Sequence, residues 1–133
     1  MQRGRPTSSE DTSKLMTDVE LVIMRVLWAC GEGTVKEVVD KLPLEEERKL
    51  TTVATFLKIM DDKGFVTSKM TGRSLTYSPL IDLQDYQLTA LKNLRKRLFD
   101  GSALELLERC LDVFDFGRLD LEQLLFLIEK REQ

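Results

Sequence analysis

Apolar residues recur at helical spacing through most of this chain and switch to strict alternation in one stretch. Val19, Val22, Ile23, Val26, Leu27 and Cys30 form a first stripe, which predicts an amphipathic helix with one buried face. Thr17-Asp-Val-Glu20 marks its start as a capping box, in which hydroxyl and carboxylate satisfy backbone donors left unpaired in the first turn. Gly31-Glu-Gly33 ends it, and Trp28 is expected to pack at the rim of the core. Thr34-Val-Lys-Glu37 is a second capping box, opening a helix that turns Val35, Val38, Val39 and Leu42 inward and stops at Pro43. A third helix runs from about Thr51 to Lys63, with Val53, Phe56, Leu57 and Met60 inward and Gly64 as its cap. Then the period becomes two. Phe65–Met70 and Ser74–Tyr77 alternate around Thr71-Gly72-Arg73, a hairpin closed by Pro79.

From residue 81 the helical period returns. Asp82–Phe99 reads as one long helix with Leu83, Tyr86, Ala90, Leu91, Leu94 and Leu98 apolar, broken by Asp100-Gly101. Ser102-Ala-Leu-Glu105 is a third capping box, opening a helix with Leu106, Leu107, Cys110, Leu111 and Phe114. Asp115-Phe-Gly117 interrupts again, and Asp120 with Gln123 is expected to cap a last helix whose Leu124-Leu-Phe-Leu-Ile128 is apolar on every side. So small a trio cannot bury that much apolar surface alone, and a second subunit is expected to cover it. Leu91, Leu94, Leu98, Leu107, Leu111, Leu124, Leu125 and Ile128 are the expected dimerisation residues.

The expected class is mainly α with a small β-hairpin. A winged helix–turn–helix over residues 14–80 precedes a three-helix dimerisation region over residues 81–133. Residues 1–13, polar and without periodicity, are expected to be a disordered tail whose Arg3 and Arg5 are solvated.

Composition narrows the chemistry. The chain has two cysteines and no histidine, which excludes histidine acid–base catalysis and argues against a zinc or transition-metal site. Cys30 and Cys110 both fall on apolar stripes and are expected to be inert buried thiols. No nucleophile–base pair or phosphate-binding glycine loop is present, so neither an enzyme nor a cofactor is expected. No apolar run is long enough to span a bilayer and the start lacks the apolar stretch of a secretion signal, so the expected location is the cytoplasm.

A net charge of −3 is unpromising for a nucleic-acid binder until its distribution is considered. Within residues 48–76, Arg48, Lys49, Lys58, Lys63, Lys69 and Arg73 face only Asp61 and Asp62. The outward side of the third helix carries Thr51, Thr52, Ala54, Thr55 and Lys58, short side chains that admit close approach to a major groove and reach base edges or a thymine methyl. The same threonine pair also fits a plain N-cap. Helix–helix–helix–hairpin order, with Lys69 and Arg73 on the hairpin, favours the DNA reading: bases to Thr51, Thr52, Ala54 and Thr55, phosphates to Lys49, Lys58, Lys69 and Arg73. The near-neutral balance of residues 1–80 leaves open a winged helix that docks on a protein and binds no DNA.

The ordered motifs Leu15-Met-Thr-Asp-Val-Glu20, Val26-Leu-Trp28, Thr34-Val-Lys-Glu-Val38 and Leu50-Thr-Thr-Val-Ala-Thr-Phe-Leu57 continue with Lys63-Gly-Phe-Val66, Gly72-Arg73 and Tyr77-Ser-Pro79. Together with Leu98-Phe-Asp-Gly-Ser102 and Leu119-Asp-Leu-Glu-Gln-Leu124, they resemble the BlaI/MecI-type penicillinase repressors, a family that also includes CopY-type copper repressors. The resemblance implies a homodimer joined through its C-terminal helices on a dyad operator, in that family often with TACA/TGTA half-sites. It implies base contacts at Thr52 and Thr55 and backbone contacts at Arg73 and Tyr77, while Thr51 and Ala54 stand where many relatives carry Lys and Gln. The penicillinase repressors are inactivated by cleavage at an Asn-Phe bond, and the aligned pair here is Arg109-Cys110. No cysteine follows Cys110 to form the copper repressors' cluster, so the releasing signal, and any sensor or protease that delivers it, is not inherited from the resemblance.

Overall fold

The computed structural model describes residues 15–132; the predicted tail over residues 1–13 lies outside them. The order is α1 (Asp18–Cys30), β1 (Gly33–Thr34), α2 (Val35–Lys41), a 3-10 turn (Leu44–Glu46), α3 (Leu50–Lys63), β2 (Val66–Thr71), β3 (Ser74–Pro79), α4 (Leu83–Leu98), α5 (Ala103–Val113) and α6 (Arg118–Arg131). This is the expected class, mainly helical with a small antiparallel wing.

Both N-terminal capping boxes form. Thr17 and Glu20 exchange backbone hydrogen bonds at the start of α1, as Thr34 and Glu37 do at the start of α2. The buried face of α1 is turned from the predicted one. It follows Glu20, Ile23, Met24 and Leu27, with Val26 beside them, while Val19 and Val22 are half-buried. Cys30 is exposed, contrary to its expected burial, because the core residues of α1 end at Leu27, nearly a turn before it; Cys110 is half-buried, and both thiols are free. Val38 of α2, Val53, Leu57 and Met60 of α3, and Phe65, Val66 and Tyr77 of the wing complete the core.

The hairpin gains a third strand, in a sheet ordered β1-β3-β2 with β3 at its centre. The sequence reading had no β1, since Gly33-Thr34 served it only as a helix boundary. In the fold these residues pair with Tyr77 and Thr76, so the α1–α2 connection is sewn to the wing. The wing turns through Gly72 at φ +65°, the first position of a two-residue loop, where a positive φ favours glycine.

Glu20 does more than cap. Its Oε1 accepts from the Thr17 N–H at 2.9 Å and its Oε2 takes the Lys63 ammonium at 2.8 Å, joining the first turn of α1 to the last of α3. The carboxylate side chain is 2% exposed and the lysine 34%. Trp28, at the core's rim as expected, donates its indole N–H to the Ile81 carbonyl at 2.9 Å. Its ring lies 6.3 Å from that of Tyr86, whose hydroxyl accepts from the Met16 N–H. The opening of α4 is thereby bound to the same compact unit as the winged helix, and that unit extends to Asn93.

The second unit begins at Leu94 and holds the end of α4 with α5 and α6. Asp100 and Gly101 both adopt positive φ at the break after α4. Ser102 caps α5 by accepting from the Glu105 N–H, without the reciprocal bond of a full box. The last helix starts at Arg118, earlier than predicted, because Asp120 acts from inside the first turn, accepting from the Gly117 N–H. Of the eight expected dimerisation residues all but Leu124 are exposed, and Phe114, Leu119 and Phe126 are exposed as well.

Two consequences are measurable. Lys63→Ala strands a buried carboxylate and should cost about 3 kcal/mol of unfolding free energy in urea titration; Glu20→Gln should cost less, because its amide oxygen still accepts from Thr17 while the half-exposed Lys63 turns to water. Burial, and then the charge of Asp61, raise the Tyr77 phenol above its ordinary 10.0. The neutral phenol is thus favoured by the fold, a contribution complete below pH 10.0 and lost as pH climbs through the raised value. Stability should fall above pH 10.0, and less steeply in Tyr77→Phe.

Candidate nucleic-acid interface

The exposed side of α3 follows from its buried one. With Val53, Leu57 and Met60 in the core, Thr51, Ala54, Thr55 and Lys58 share the opposite face at i, i+3, i+4, i+7 spacing. Thr51, Thr55 and Lys58 are exposed, and Thr52 and Ala54 half-exposed. Neither threonine of the pair caps the helix, since the N-cap is Lys49 and Thr51 and Thr52 lie inside the first turn. The Thr55 hydroxyl donates to the Thr51 carbonyl at 3.0 Å. Its hydrogen is committed, so it offers outward an acceptor lone pair and a methyl group.

No side chain caps the start of α3, and the exposed acids nearest to it, Glu45 and Glu47, precede the N-cap. Lys49 makes no side-chain capping bond, and among the six α-helices described α3 alone has no acidic residue in its first turn. Unsatisfied N–H groups and the positive end of the helix dipole therefore face outward beside a lysine, a setting that attracts phosphate.

The wing is hung from the other end of α3. Gly64 takes the left-handed conformation, Phe65 N–H donates to the Met60 carbonyl, and the Ser68 hydroxyl donates to Asp61 at 3.1 Å. Lys69 and Arg73 stand exposed on the hairpin, which carries no acidic residue from Val66 to Pro79. Among the described residues Lys49, Lys58, Lys69 and Arg73 have no ion-pair partner.

Two basic residues of the same segment are differently placed. Arg48 is paired with Glu46 at 3.3 Å, and Lys63 holds Glu20, so neither adds to an outward positive patch. The acids that claim them lie outside residues 48–76, where a count of charge along the sequence does not look. Glu20 did leave a signal: it stands three, four and seven positions before Ile23, Met24 and Leu27, on the buried line of α1. Tyr77, expected at the DNA backbone from the resemblance, is 5% exposed and belongs to the core under the wing. Among the described residues no group of three His, Cys, Asp or Glu side chains is placed to hold a metal, and no helix is long and apolar enough to cross a membrane.

The chain is 23% identical over 117 residues to the penicillinase repressor of Bacillus licheniformis, a match spanning 88% of this chain and 91% of that protein. An uncharacterised 16.5 kDa protein of Latilactobacillus sakei is 24% identical over 92 residues, 69% of this chain and 60% of that one. Among solved structures, a CopR repressor is 36% identical across 50% of this chain and 97% of its own, with a TM-score of 0.44. BpsR of Bordetella bronchiseptica is 12% identical across 92% of this chain and 79% of its own, with a TM-score of 0.45. The penicillinase repressor family model matches residues 16–130 of this chain. The chain belongs to the penicillinase repressor family, a family of transcription regulators rather than enzymes.

Proposed function

We propose that the chain is a homodimeric, sequence-specific DNA-binding repressor, with residues 14–80 on the DNA and residues 81–133 joining the subunits. The observation that carries this reading is the pairing pattern of its charges. Lys49, Lys58, Lys69 and Arg73 are exposed without ion-pair partners around a face of small polar side chains, while Arg48 and Lys63 are turned to acids of the scaffold. Thr51, Thr52, Ala54 and Thr55 read base edges in the major groove, and the four cations, with the bare start of α3, hold phosphates. Tyr77 supports the wing from beneath. Family membership supports repression as the outcome, and occlusion of a dyad operator follows from a two-fold dimer.

Dimerisation is supported by the exposed leucines of the second unit. Leu98, Leu107, Leu111, Leu125 and Ile128 are all exposed in the single chain, apolar surface that a second subunit would cover. A releasing signal, delivered by a sensor or a protease, acts by loosening this dimer or its grip on the operator.

Electrophoretic shift and footprinting on the chain's own promoter test the reading. A protected, two-fold symmetric site is expected at low salt, and a folded dimer without sequence-selective protection would sink it. Arg73→Ala should lower the salt slope by about 1 at every sequence, whereas Thr55→Ala should cost about 1–3 kcal/mol at the operator and little on random DNA. Leu98→Glu with Leu111→Glu should yield monomers in sedimentation and a weakened operator complex.

A further inference from the structure

The wing carries an apolar rung that its core does not use. In the β2–β3 register Val66 pairs with Pro79, Ser68 with Tyr77 and Met70 with Leu75, so these residues share one face of the hairpin. Val66 and Tyr77 lie in the core. Met70 and Leu75, one rung from the turn, are 62% and 42% exposed. The opposite face is wholly polar: Thr67, Lys69 and Thr71 against Ser78, Thr76 and Ser74. A solvated hairpin end would ordinarily be polar on both faces, and this one keeps its apolar side going past the point where the core stops.

The direction of the rung is fixed by its neighbour. Ser68, on the same face, is hydrogen-bonded to Asp61 in the last turn of α3, so Met70 and Leu75 lie on the α3 side of the hairpin, one step further out. Arg73 stands in the turn one rung beyond them, Lys69 lies on the opposite face of the same strand, and no acid lies on either strand. A hairpin end that is apolar on one face, with a cation at its tip, another on its other face and no acid, matches a polyanion with apolar walls. On DNA, phosphates offer nothing to a methionine or a leucine. Sugar walls and base edges inside a groove do, and Met and Leu are among the side chains that enter minor grooves. With α3 in the major groove, a hairpin that reaches past the adjoining phosphate backbone meets the minor groove, since the two grooves alternate along the duplex.

We infer that Met70 and Leu75 form an apolar wedge seated in the DNA minor groove beside the site read by α3, an inference that rests on the DNA-binding reading above. The wedge adds affinity without neutralising phosphate, and it is sensitive to what the minor-groove floor presents. The guanine amino group projects there and obstructs it.

The test uses the full chain and a duplex selected by it from a random-sequence pool. Met70→Ala with Leu75→Ala should weaken binding about tenfold, from the apolar area no longer covered, with the slope of log K against log salt unchanged. Arg73→Ala should instead lower that slope by about 1. Introducing G·C pairs beside the α3 site should weaken the wild-type complex several-fold, and replacing them by inosine·cytosine, which keeps the major-groove pattern and removes only the minor-groove amino group, should restore it; the double variant should be indifferent to both changes. The swap Met70→Leu with Leu75→Met, which keeps the apolar volume, should bind like wild type and so separates a wedge from a damaged wing. The inference is overturned if the double alanine variant binds as wild type does, if its loss comes with a reduced salt slope, or if inosine affects both proteins equally. A wild-type chain that selects no duplex at all overturns the DNA reading itself, and the wedge with it.

Discussion

A single buried carboxylate sets the geometry of the winged helix. Glu20 closes the capping box of α1 with one oxygen and takes Lys63 from the last turn of α3 with the other. The helix that builds the scaffold and the helix that faces outward are thereby clamped start to end. Because the wing is suspended from that same turn, through Gly64, Phe65 and the Ser68–Asp61 bond, the clamp also sets where the hairpin stands. Burying an ion pair contributes little net stability relative to an apolar pair of the same shape. What it supplies is a directional constraint: the charge is satisfied in one arrangement of the two helices, whereas an apolar contact would tolerate sliding.

The distribution of charge follows from the same economy of placement. The chain is acidic overall, yet several of its acids serve the scaffold: Glu20 and Glu37 in capping boxes, Glu46 on Arg48, Asp61 on Ser68. Cations without such partners are left on α3, at its start and on the wing. A field that attracts phosphate needs no basic protein, only local cations within about a Debye length and acids engaged elsewhere.

Much of this was legible in the sequence, and the reasons differ by element. The two full capping boxes were read correctly because Thr-x-x-Glu before an apolar run is a local device whose bonds close within one turn. The hairpin and the inward residues of α3 were legible from their periods. What escaped were features that depend on distant partners. β1 is two residues long and exists only because β3 lies alongside it. The face of α1 was misjudged since a period of 3.6 allows neighbouring lines, and the presence of Val22 and Cys30 drew the reading away from Met24. At the candidate interface, Lys49, Lys58, Lys69 and Arg73 were legible as charges, but only the fold separates them from Arg48 and Lys63. The burial of Tyr77 could not be inferred from alternation alone, because a strand pattern does not say how far the core extends under it.

The bare start of α3 has a consequence for how this chain can change. The other long helices of the first unit open with an acid in the first turn, and α1 and α2 show that the sequence has the means to cap. A serine or aspartate in place of Lys49 would satisfy an N–H of α3 and stabilise the isolated protein by about 1 kcal/mol. It would also fill, with the protein's own oxygen, the place open to a phosphate. Thermal robustness and grip on a polyanion therefore pull against each other at this one position, and selection for either alone would move it in opposite directions. In the proposed complex the helix that meets the DNA is left unfinished, and the DNA completes it.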